Sequence, residues 1–260
     1  MNHSFSRKIR LSIIALFAFC FSLKDAKAQV NVKDSALRFT MIQFSYAYQF
    51  PGGNLAQRFG NNSSVGFDFM CKNKKRLLFG ADFRYIFGNV IKEDPLVNLK
   101  TPDGNLIGQD GAYATFSTFE RGYSVMGKIG YLFSFKGIGP NRNCGPFITV
   151  GGGILEHQIR IQVQNNNVTS LDKNTKKGYD RLCNGPAIAA SAGYMYLSNK
   201  RLINFCLSVE YIAAFTQNRR GINYDTQIKD TQKRTDNLLG IRIGWIIPLY
   251  KRMPADVYYN

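Results

Sequence analysis

The sequence predicts an all-β protein, an eight-stranded antiparallel up-and-down transmembrane β-barrel with a polar lumen that side chains fill. Three observations predict this fold. Eight segments alternate apolar and polar residues with a period of two, which is typical of strands with two unlike faces. The connections between them are alternately long and short, as in membrane barrels. No run after residue 28 reaches the roughly 18 apolar residues that indicate a transmembrane helix.

The eight predicted strands follow one another through residues 37–250. In the first, Phe44 and Tyr46 alternate with Gln43 and Ser45, and the others repeat this division into a greasy and a polar face. The apolar face is expected to meet lipid and the polar face the lumen. The predicted strands are 37–50, 64–71, 77–88, a fourth from 113 or 122 to 135, 147–163, 186–197, 202–216 and 238–250.

The predicted connections divide the barrel into a loop end and a turn end. Four long segments would join the strands at one end, and three short segments would join them at the other. Both chain ends of the barrel would then lie on the periplasmic side. The long segments are 51–63, 89–112, 164–185 and 217–237, and the short ones are 72–76, 136–145 and 198–201.

Charged residues on the polar faces predict an ion-paired lumen. Asp82 and Arg84 lie two residues apart and therefore point to the same side of a strand. Side chains can fill the interior of a barrel of this size, and a charge buried there needs a partner. For Glu156 and Arg160 the alternative is a position at the water-exposed strand ends. The predicted lumen network is Asp82, Arg84, Lys128, Glu156, Arg160, Glu210 and Arg242.

Residues 1–28 have the anatomy of a secretory signal peptide. A basic stretch precedes a short apolar run at 11–21, and an Ala-Lys-Ala sequence ends at Ala28. Cleavage is therefore expected between Ala28 and Gln29. Residues 29–36 would lead into the barrel, and residues 251–260 would form a periplasmic tail.

The charge and the cysteines narrow the function classes. The signal holds five basic residues and one acidic residue, so its removal lowers the net charge from +17 to +13. Export and the scattered placement of the charges argue against nucleic acid as a partner, and anionic lipid head groups fit better. Four of the five cysteines remain after cleavage, without a C-x-x-C pair, and free thiols are expected rather than disulfides. No phosphate-binding loop or metal-ligand motif occurs, so neither a cofactor nor a metal is expected.

Enzymatic function depends on one histidine. His157 is the single histidine after residue 28 and is predicted on the lipid-facing side of its strand, with Glu156 on the opposite face. A serine, a histidine and a carboxylate could deacylate lipid A by general-base catalysis. No serine is placed near His157 by the sequence, so no catalytic residue is assigned.

Two of the long loops carry residues suited to binding. Tyrosine and arginine are enriched where proteins recognise one another, and loops on a rigid scaffold often carry function. The alternative is that the charged members only pin the loops over the barrel mouth by ion pairs. The candidates are Tyr179, Asp180, Arg181, Arg219, Arg220, Tyr224 and Asp225.

Four stretches carry a resemblance to known proteins: FPGGNLAQRFG at 50–60, KKGYDRLCNG at 176–185, NRRGINYD at 218–225 and GIRIGWIIPLYKR at 240–252. With them the chain resembles the eight-stranded outer-membrane β-barrel family, OmpA-like in its barrel, and more narrowly exported barrels of Bacteroidetes-type bacteria. The resemblance implies no established activity. It also implies an outer-membrane location and a last strand that the barrel-assembly machinery reads. Because the resemblance covers the whole chain after residue 28, a peptidoglycan-binding domain is not expected.

The sequence therefore favours a non-enzymatic outer-membrane barrel, a structural or accessory subunit. Its expected partners are outer-membrane lipids, the assembly machinery and another envelope protein. An enzyme acting on lipid A or another surface lipid is one alternative, and a small diffusion channel is the other.

Overall fold

The computed structural model describes residues 37–135, 139–164, 168–172, 174–199 and 203–250. Within these ranges eight strands close into a barrel, and two short strands pair in a separate hairpin. The barrel strands are β1 (Phe39–Gly52), β2 (Asn62–Lys72), β3 (Leu77–Gly88), β6 (Phe116–Leu132), β7 (Gly145–Val163), β8 (Cys183–Leu197), β9 (Asn204–Asn218) and β10 (Lys233–Tyr250). The hairpin is β4 (Leu106–Ile107) with β5 (Tyr113–Ala114), and a short helix, α1, spans Gly53–Arg58.

Each barrel strand pairs antiparallel with its neighbours along the chain, and β10 closes the ring by pairing with β1. The strand β3 pairs directly with β6, because the β4–β5 hairpin lies within the connection between them. The register carries the aromatic face around the wall, since Phe44 lies opposite both Phe67 and Trp245. The predicted all-β, up-and-down barrel is confirmed.

The outer wall of the barrel carries a broad apolar band. On β10, for example, Leu239, Ile241, Ile243 and Trp245 are all about half exposed, whereas Arg242 between them is buried. No helix among the described residues combines the length and apolar character that a membrane crossing requires.

The described lumen contains three layers. At the turn end, a cluster that includes Met41, Leu132 and Ile246 is apolar. The middle layer is charged and is described below. At the loop end a second apolar cluster includes Leu55 and Phe59 from α1 and its C-cap, together with inward residues of the strands such as Ile159.

The strands extend further toward the loop end than the sequence pattern indicated. Strand β10 begins at Lys233 rather than at 238, and β8 begins at Cys183 rather than at 186. The strand β7 has 19 residues, whereas a membrane-crossing strand needs about 9–11 residues. The loop end of β7 at Val163 was predicted, whereas the added residues of β8 and β10 lie where the wall is no longer apolar and the membrane pattern does not reveal them.

Several sequence-based predictions lie outside the described residues. These are the signal peptide at 1–28, its cleavage between Ala28 and Gln29, the lead-in at 29–36 and the tail at 251–260. They stay predictions.

Candidate functional sites: the charged lumen layer and the loop-end cap

A layer of six charged side chains crosses the middle of the lumen. Each member lies on the inward face of a strand, where its neighbours in sequence face outward. All six are buried, with Lys128 the most exposed at 7%. The charged layer consists of Asp68 on β2, Asp82 and Arg84 on β3, Lys128 on β6, Glu210 on β9 and Arg242 on β10.

Arg84 is at the centre of this charged layer. One of its terminal nitrogens lies 2.6 Å from Asp82 Oδ2 and 3.7 Å from Asp68 Oδ1. The other terminal nitrogen donates to Glu210 Oε2. A single guanidinium therefore contacts all three carboxylates, which its fork of five donors allows.

Lys128 and Arg242 complete the pairing. Lys128 Nζ lies 2.5 Å from Asp82 Oδ2 and 2.9 Å from Glu210 Oε1. Arg242 donates to Asp68 Oδ1 at 3.2 Å and to Ser208 Oγ at 3.1 Å. Three cationic side chains thus face three carboxyl groups, so the formal charges of the layer balance. Each charge has partners, without which burial would be strongly destabilising.

A glycine makes room for the lysine of the charged layer. Gly151 on β7 lies opposite Lys128 on β6. A Cβ atom at Gly151 would lie 2.5 Å from Gly127 O and 2.9 Å from Lys128 Cγ. The absence of a side chain therefore lets the lysine stem cross the lumen toward Glu210, which gives the Gly151–Gly153 run a packing role.

Two predicted members do not belong to the lumen: the lumen assignment of Glu156 and Arg160 is wrong, and the structure supports the alternative position toward the end of the strand. On β7 the odd-numbered residues face inward throughout, so both side chains lie on the outer wall. Arg160 is exposed, and Glu156 Oε2 accepts a hydrogen bond from Asn184 at 3.0 Å. At this height Leu155 and Ile159 fill the interior. The strand has left the apolar wall, so the polar side chains face outward and the apolar ones inward.

The prediction that His157 faces lipid is wrong for the same reason. Its side chain points into the lumen and is 2% exposed. The Nε2 atom lies 2.9 Å from Asp236 Oδ2, which also accepts a hydrogen bond from Thr216 Oγ1. The Asp236 carboxylate thus lies between the His157 imidazole and the Thr216 hydroxyl. General-base activation of a hydroxyl needs the imidazole between the hydroxyl and the carboxylate. Phe59 packs edge-on against the ring at 5.5 Å.

The loop end of the lumen is covered by α1 and ion-paired loops, here called the cap. Arg58, the last residue of α1, is buried and lies 2.6 Å from Glu93 Oε2. The second oxygen of Glu93 accepts a hydrogen bond from Arg181 Nε at 2.8 Å. A terminal nitrogen of Arg181 also pairs with Asp225 Oδ2. This chain of contacts joins α1 to three successive long connections.

The candidate loop residues fall into two groups, buried residues that hold the cap together and residues that are exposed. Tyr179, Asp180 and Arg181 are buried, and they hold the cap together rather than offer a surface. Asp180 binds Arg220 through two hydrogen bonds, and these raise the pKa of the arginine. Burial raises the pKa of the Tyr179 phenol, with the carboxylate of Asp225 adding to the effect.

Asp225 and Arg220 are ion-paired within the cap, whereas the last two candidates, Tyr224 and Arg219, reach the surface. Tyr224 is 44% exposed, although its ring packs edge-on against Tyr179 at 5.6 Å. Arg219 is exposed on the outer wall, where its Nε donates to Asn184 Oδ1 at 2.5 Å. The structure therefore supports the pinning alternative for the charged members Asp180, Arg181 and Asp225.

Sequence reasoning missed several buried charged residues. Asp68 alternates with Phe67 and Phe69, so the period-two pattern of β2 was sufficient to find it. Arg58 and Glu93 lie in long connections without any pattern, and only the closed cap brings them together. Lys72 was placed in a turn, yet it is buried at the turn end and donates to Asn143 Oδ1 at 2.9 Å.

The described residues contain no disulfide, and their four cysteines are free thiols. Cys183 lies beside the cap, where Arg58 donates to its Sγ at 3.3 Å. In the part of the chain that the structure describes, no three His, Cys, Asp or Glu side chains converge to hold a metal ion.

Comparison with known proteins yields likeness in structure only. No protein-family model matches the chain, and no curated protein sequence matches it significantly. Ail, the attachment invasion locus protein of Yersinia pestis, solved with the heparin analogue sucrose octasulfate, is similar at 10% identity with a TM-score of 0.40, over 80% of this chain and 98% of Ail. Neisserial surface protein A is similar at 13% identity with a TM-score of 0.38, and the match covers 79% of this chain and 96% of that protein. OprG, an outer-membrane protein of Pseudomonas aeruginosa, is similar at 12% identity with a TM-score of 0.36, and the match covers 85% of this chain and 100% of OprG.

Proposed function

We propose that the protein is a non-enzymatic integral outer-membrane β-barrel with a closed lumen, and that it serves as a structural or accessory subunit for other envelope proteins. The observation that carries this proposal is the pairing of an apolar outer wall with a filled, charge-balanced interior. In this arrangement the wall meets lipid, the interior blocks passage, and the cap and turns remain for contact with partners.

The wall supports residence in a bilayer. Exposed apolar side chains such as Phe44, Phe67 and Ile241 surround the barrel, far more than the outside of a water-soluble protein carries. The closed ring pairs the backbone groups of the strands, as hydrocarbon requires. Tyr46 donates or accepts a hydrogen bond with Ser63 at 2.8 Å, and Asn61 donates to the Tyr48 hydroxyl at 3.2 Å. Such tethered tyrosine tips near the loop end suit a membrane interface.

The interior supports a closed barrel rather than a diffusion channel. The charged layer lies between two apolar clusters, and an ion would have to pass all three. The ion pairs of Arg84 and Lys128 leave no net charge to attract a solute. The buried position of His157 likewise offers a lipid no access to the imidazole, which disfavours an enzyme acting on lipid A or another surface lipid.

The cap supports a binding role. Its ion pairs fix the loops, and apolar groups then point away from them. Val97 is 59% exposed, Tyr224 44% and Ile228 67%. The loops that carry them are joined, because Asn98 donates to Asp225 O. A rigid surface with an exposed tyrosine and aliphatic groups suits recognition of another protein.

The closed-barrel part of the proposal is tested by extraction and conductance. The protein is expected in the outer-membrane fraction after carbonate washing, and the purified barrel is expected to leave a planar bilayer silent. Release by carbonate would contradict membrane residence. Stable single-channel steps would contradict closure and favour the diffusion channel.

The subunit part is tested by cross-linking in cells. A photoreactive amino acid is placed at Ile228 in the cap and, as a control, at Asp103 in an exposed turn. A discrete cross-linked protein at Ile228 only, lost on Tyr224→Ala, is the expected result. Cross-links to lipid alone at both positions would contradict a protein partner at the cap. The assembly machinery as a transient partner and the Bacteroidetes-type origin stay predictions.

A further inference from the structure

A basic pocket lies on the outer wall where β8, β9 and β10 leave the apolar band. Its volume is about 330 Å³. Phe215 and Pro186 form its apolar side, and Arg219, Lys233 and Arg234 form its charged side. The residues that line this pocket take no part in the charged layer or in the ion pairs of the cap.

Two of the three cations form no ion pair. Arg234 pairs with Asp230 at 2.6 Å. Arg219 donates to Asn184 Oδ1 at 2.5 Å and to Asn184 O at 3.3 Å, which are uncharged acceptors. Within the described ranges no carboxylate forms an ion pair with Arg219 or Lys233. The pocket therefore carries two positive charges, and the guanidinium of Arg219 keeps three of its five donors for a ligand.

The height of the pocket indicates which ligand reaches it. Phe215 lies opposite Thr235, and Gln217 lies opposite Lys233. Lys233 is thus one pleat repeat, about 7 Å along the strand, beyond the level of the exposed Phe215 ring. If the wall is embedded as proposed above, this level coincides with the head groups of the outer leaflet. The inference rests on that proposed function.

We propose that the pocket binds a phosphate group of an outer-leaflet phosphoglycolipid. Arg219 and Lys233 contact the phosphate oxygens, and the side chains of Phe215 and Pro186 lie against the apolar part of the same lipid. A phosphate monoester carries about −1.5 to −2 charges near neutral pH, which matches the two cations that form no ion pair. Arginine also suits phosphate because its planar fork donates two parallel hydrogen bonds.

Native mass spectrometry of the purified full-length protein in mild detergent tests the proposal. The probes are bisphosphorylated lipid A, the same lipid without phosphates, and inorganic phosphate. The test variant is Arg219→Gln with Lys233→Gln, which removes both charges and keeps most of the side-chain volume. The matched control is Lys177→Gln with Lys229→Gln, two lysines in loops outside the pocket.

The wild-type protein is expected to bind bisphosphorylated lipid A roughly tenfold more tightly than the dephosphorylated lipid. The test variant is expected to lose this preference and the control to keep it. Equal binding of both lipids, or an unchanged preference in the test variant, would overturn the proposal. Inorganic phosphate that binds as tightly as the lipid would assign the pocket to free phosphate instead.

Two controls separate the possible failures. The heat-dependent electrophoretic migration of a folded barrel is expected in both double variants, so a lost preference does not arise from unfolding. Carbonate extraction reports on membrane residence independently of lipid binding. A barrel that stays in the membrane but ignores the phosphates would overturn the pocket assignment alone.

Discussion

At the level of Asp82 and Glu210 the barrel holds charges inside and apolar side chains outside, whereas at the level of Ile159 it has apolar side chains inside and polar ones outside. Strand β7 takes part in both levels without a break. The period of two divides its residues into two faces, but the surroundings at each height decide which face is apolar. In the membrane placement proposed above, lipid around the middle favours an apolar wall, and water around the loop end favours an apolar interior.

The largest effect is expected from breaking the charged layer. Glu210→Gln leaves Lys128 and Arg84 short of a carboxylate, and loss of one partner from a buried ion pair costs about 3–5 kcal/mol. On the outer wall Glu156→Gln is expected to change stability by no more than about 0.5 kcal/mol. Urea unfolding in phospholipid vesicles measures both. Equal losses would mean that the two carboxylates have similar surroundings.

The loop-end interior is expected to behave like a soluble core. Leu155→Ala removes a fully buried side chain from the apolar cluster and is expected to lower the free energy of unfolding by about 2–5 kcal/mol. The matched control is its neighbour Ile154→Ala on the outer wall, where no cavity forms and a smaller loss is expected. A larger loss at Ile154 would reverse the assignment of faces on β7.

Steric room in the charged layer can be tested with two adjacent glycines. Gly151→Ala places a methyl group 2.5 Å from Gly127 O and 2.9 Å from Lys128 Cγ, and overpacking of this kind costs about 1–3 kcal/mol. Gly152→Ala faces outward, and the nearest atom to its methyl group is 3.8 Å away. Urea midpoints are expected to fall for the first variant and stay unchanged for the second. An equal fall of the two urea midpoints would show that the loss comes from the strand propensity of alanine and not from a clash with Lys128.

The smallest effect is expected in the cap and is local. Arg181→Gln breaks the contacts to Glu93 and Asp225, so the β9–β10 loop should open more often. Local weakening by about 1.4 kcal/mol corresponds to roughly tenfold faster protease cleavage in that loop. The control Arg160→Gln alters an exposed outer-wall arginine and should leave the cleavage rate unchanged. Slow cleavage in both variants would show that the apolar packing alone holds the cap.

Much of the barrel was predictable because its signal is local. Strand β3 was predicted over 77–88, the range that the structure shows, since aromatic residues alternate with Asp82 and Arg84. The inward charges of β6, β9 and β10 followed from the same rule. The pattern of β2 also contained Asp68, although it was not used.

The failures lie where one environment gives way to another. On β7 the apolar-outward rule was carried past the end of the apolar wall, which misplaced Glu156, Arg160 and His157. Nothing in a single strand states at which residue the lipid ends. Ion-paired loops were an open alternative for Asp180, Arg181 and Asp225, but the full cap was beyond sequence reasoning, because Arg58, Glu93 and Asp225 come from three different connections. Their pairing depends on how the barrel brings those loops together.

The reversal along β7 is the central claim, and spin labels along its outer face test it most directly. Val150→Cys, Ile154→Cys, Gln158→Cys and Gln162→Cys are labelled in a Cys71→Ser background, because Cys71 is the one partly exposed cysteine among the described residues. In phospholipid vesicles the first two labels are expected to collide mainly with dissolved oxygen, as in lipid. The last two are expected to collide mainly with a water-soluble nickel complex. Lipid-like collisions at residues 158 and 162 would contradict the account.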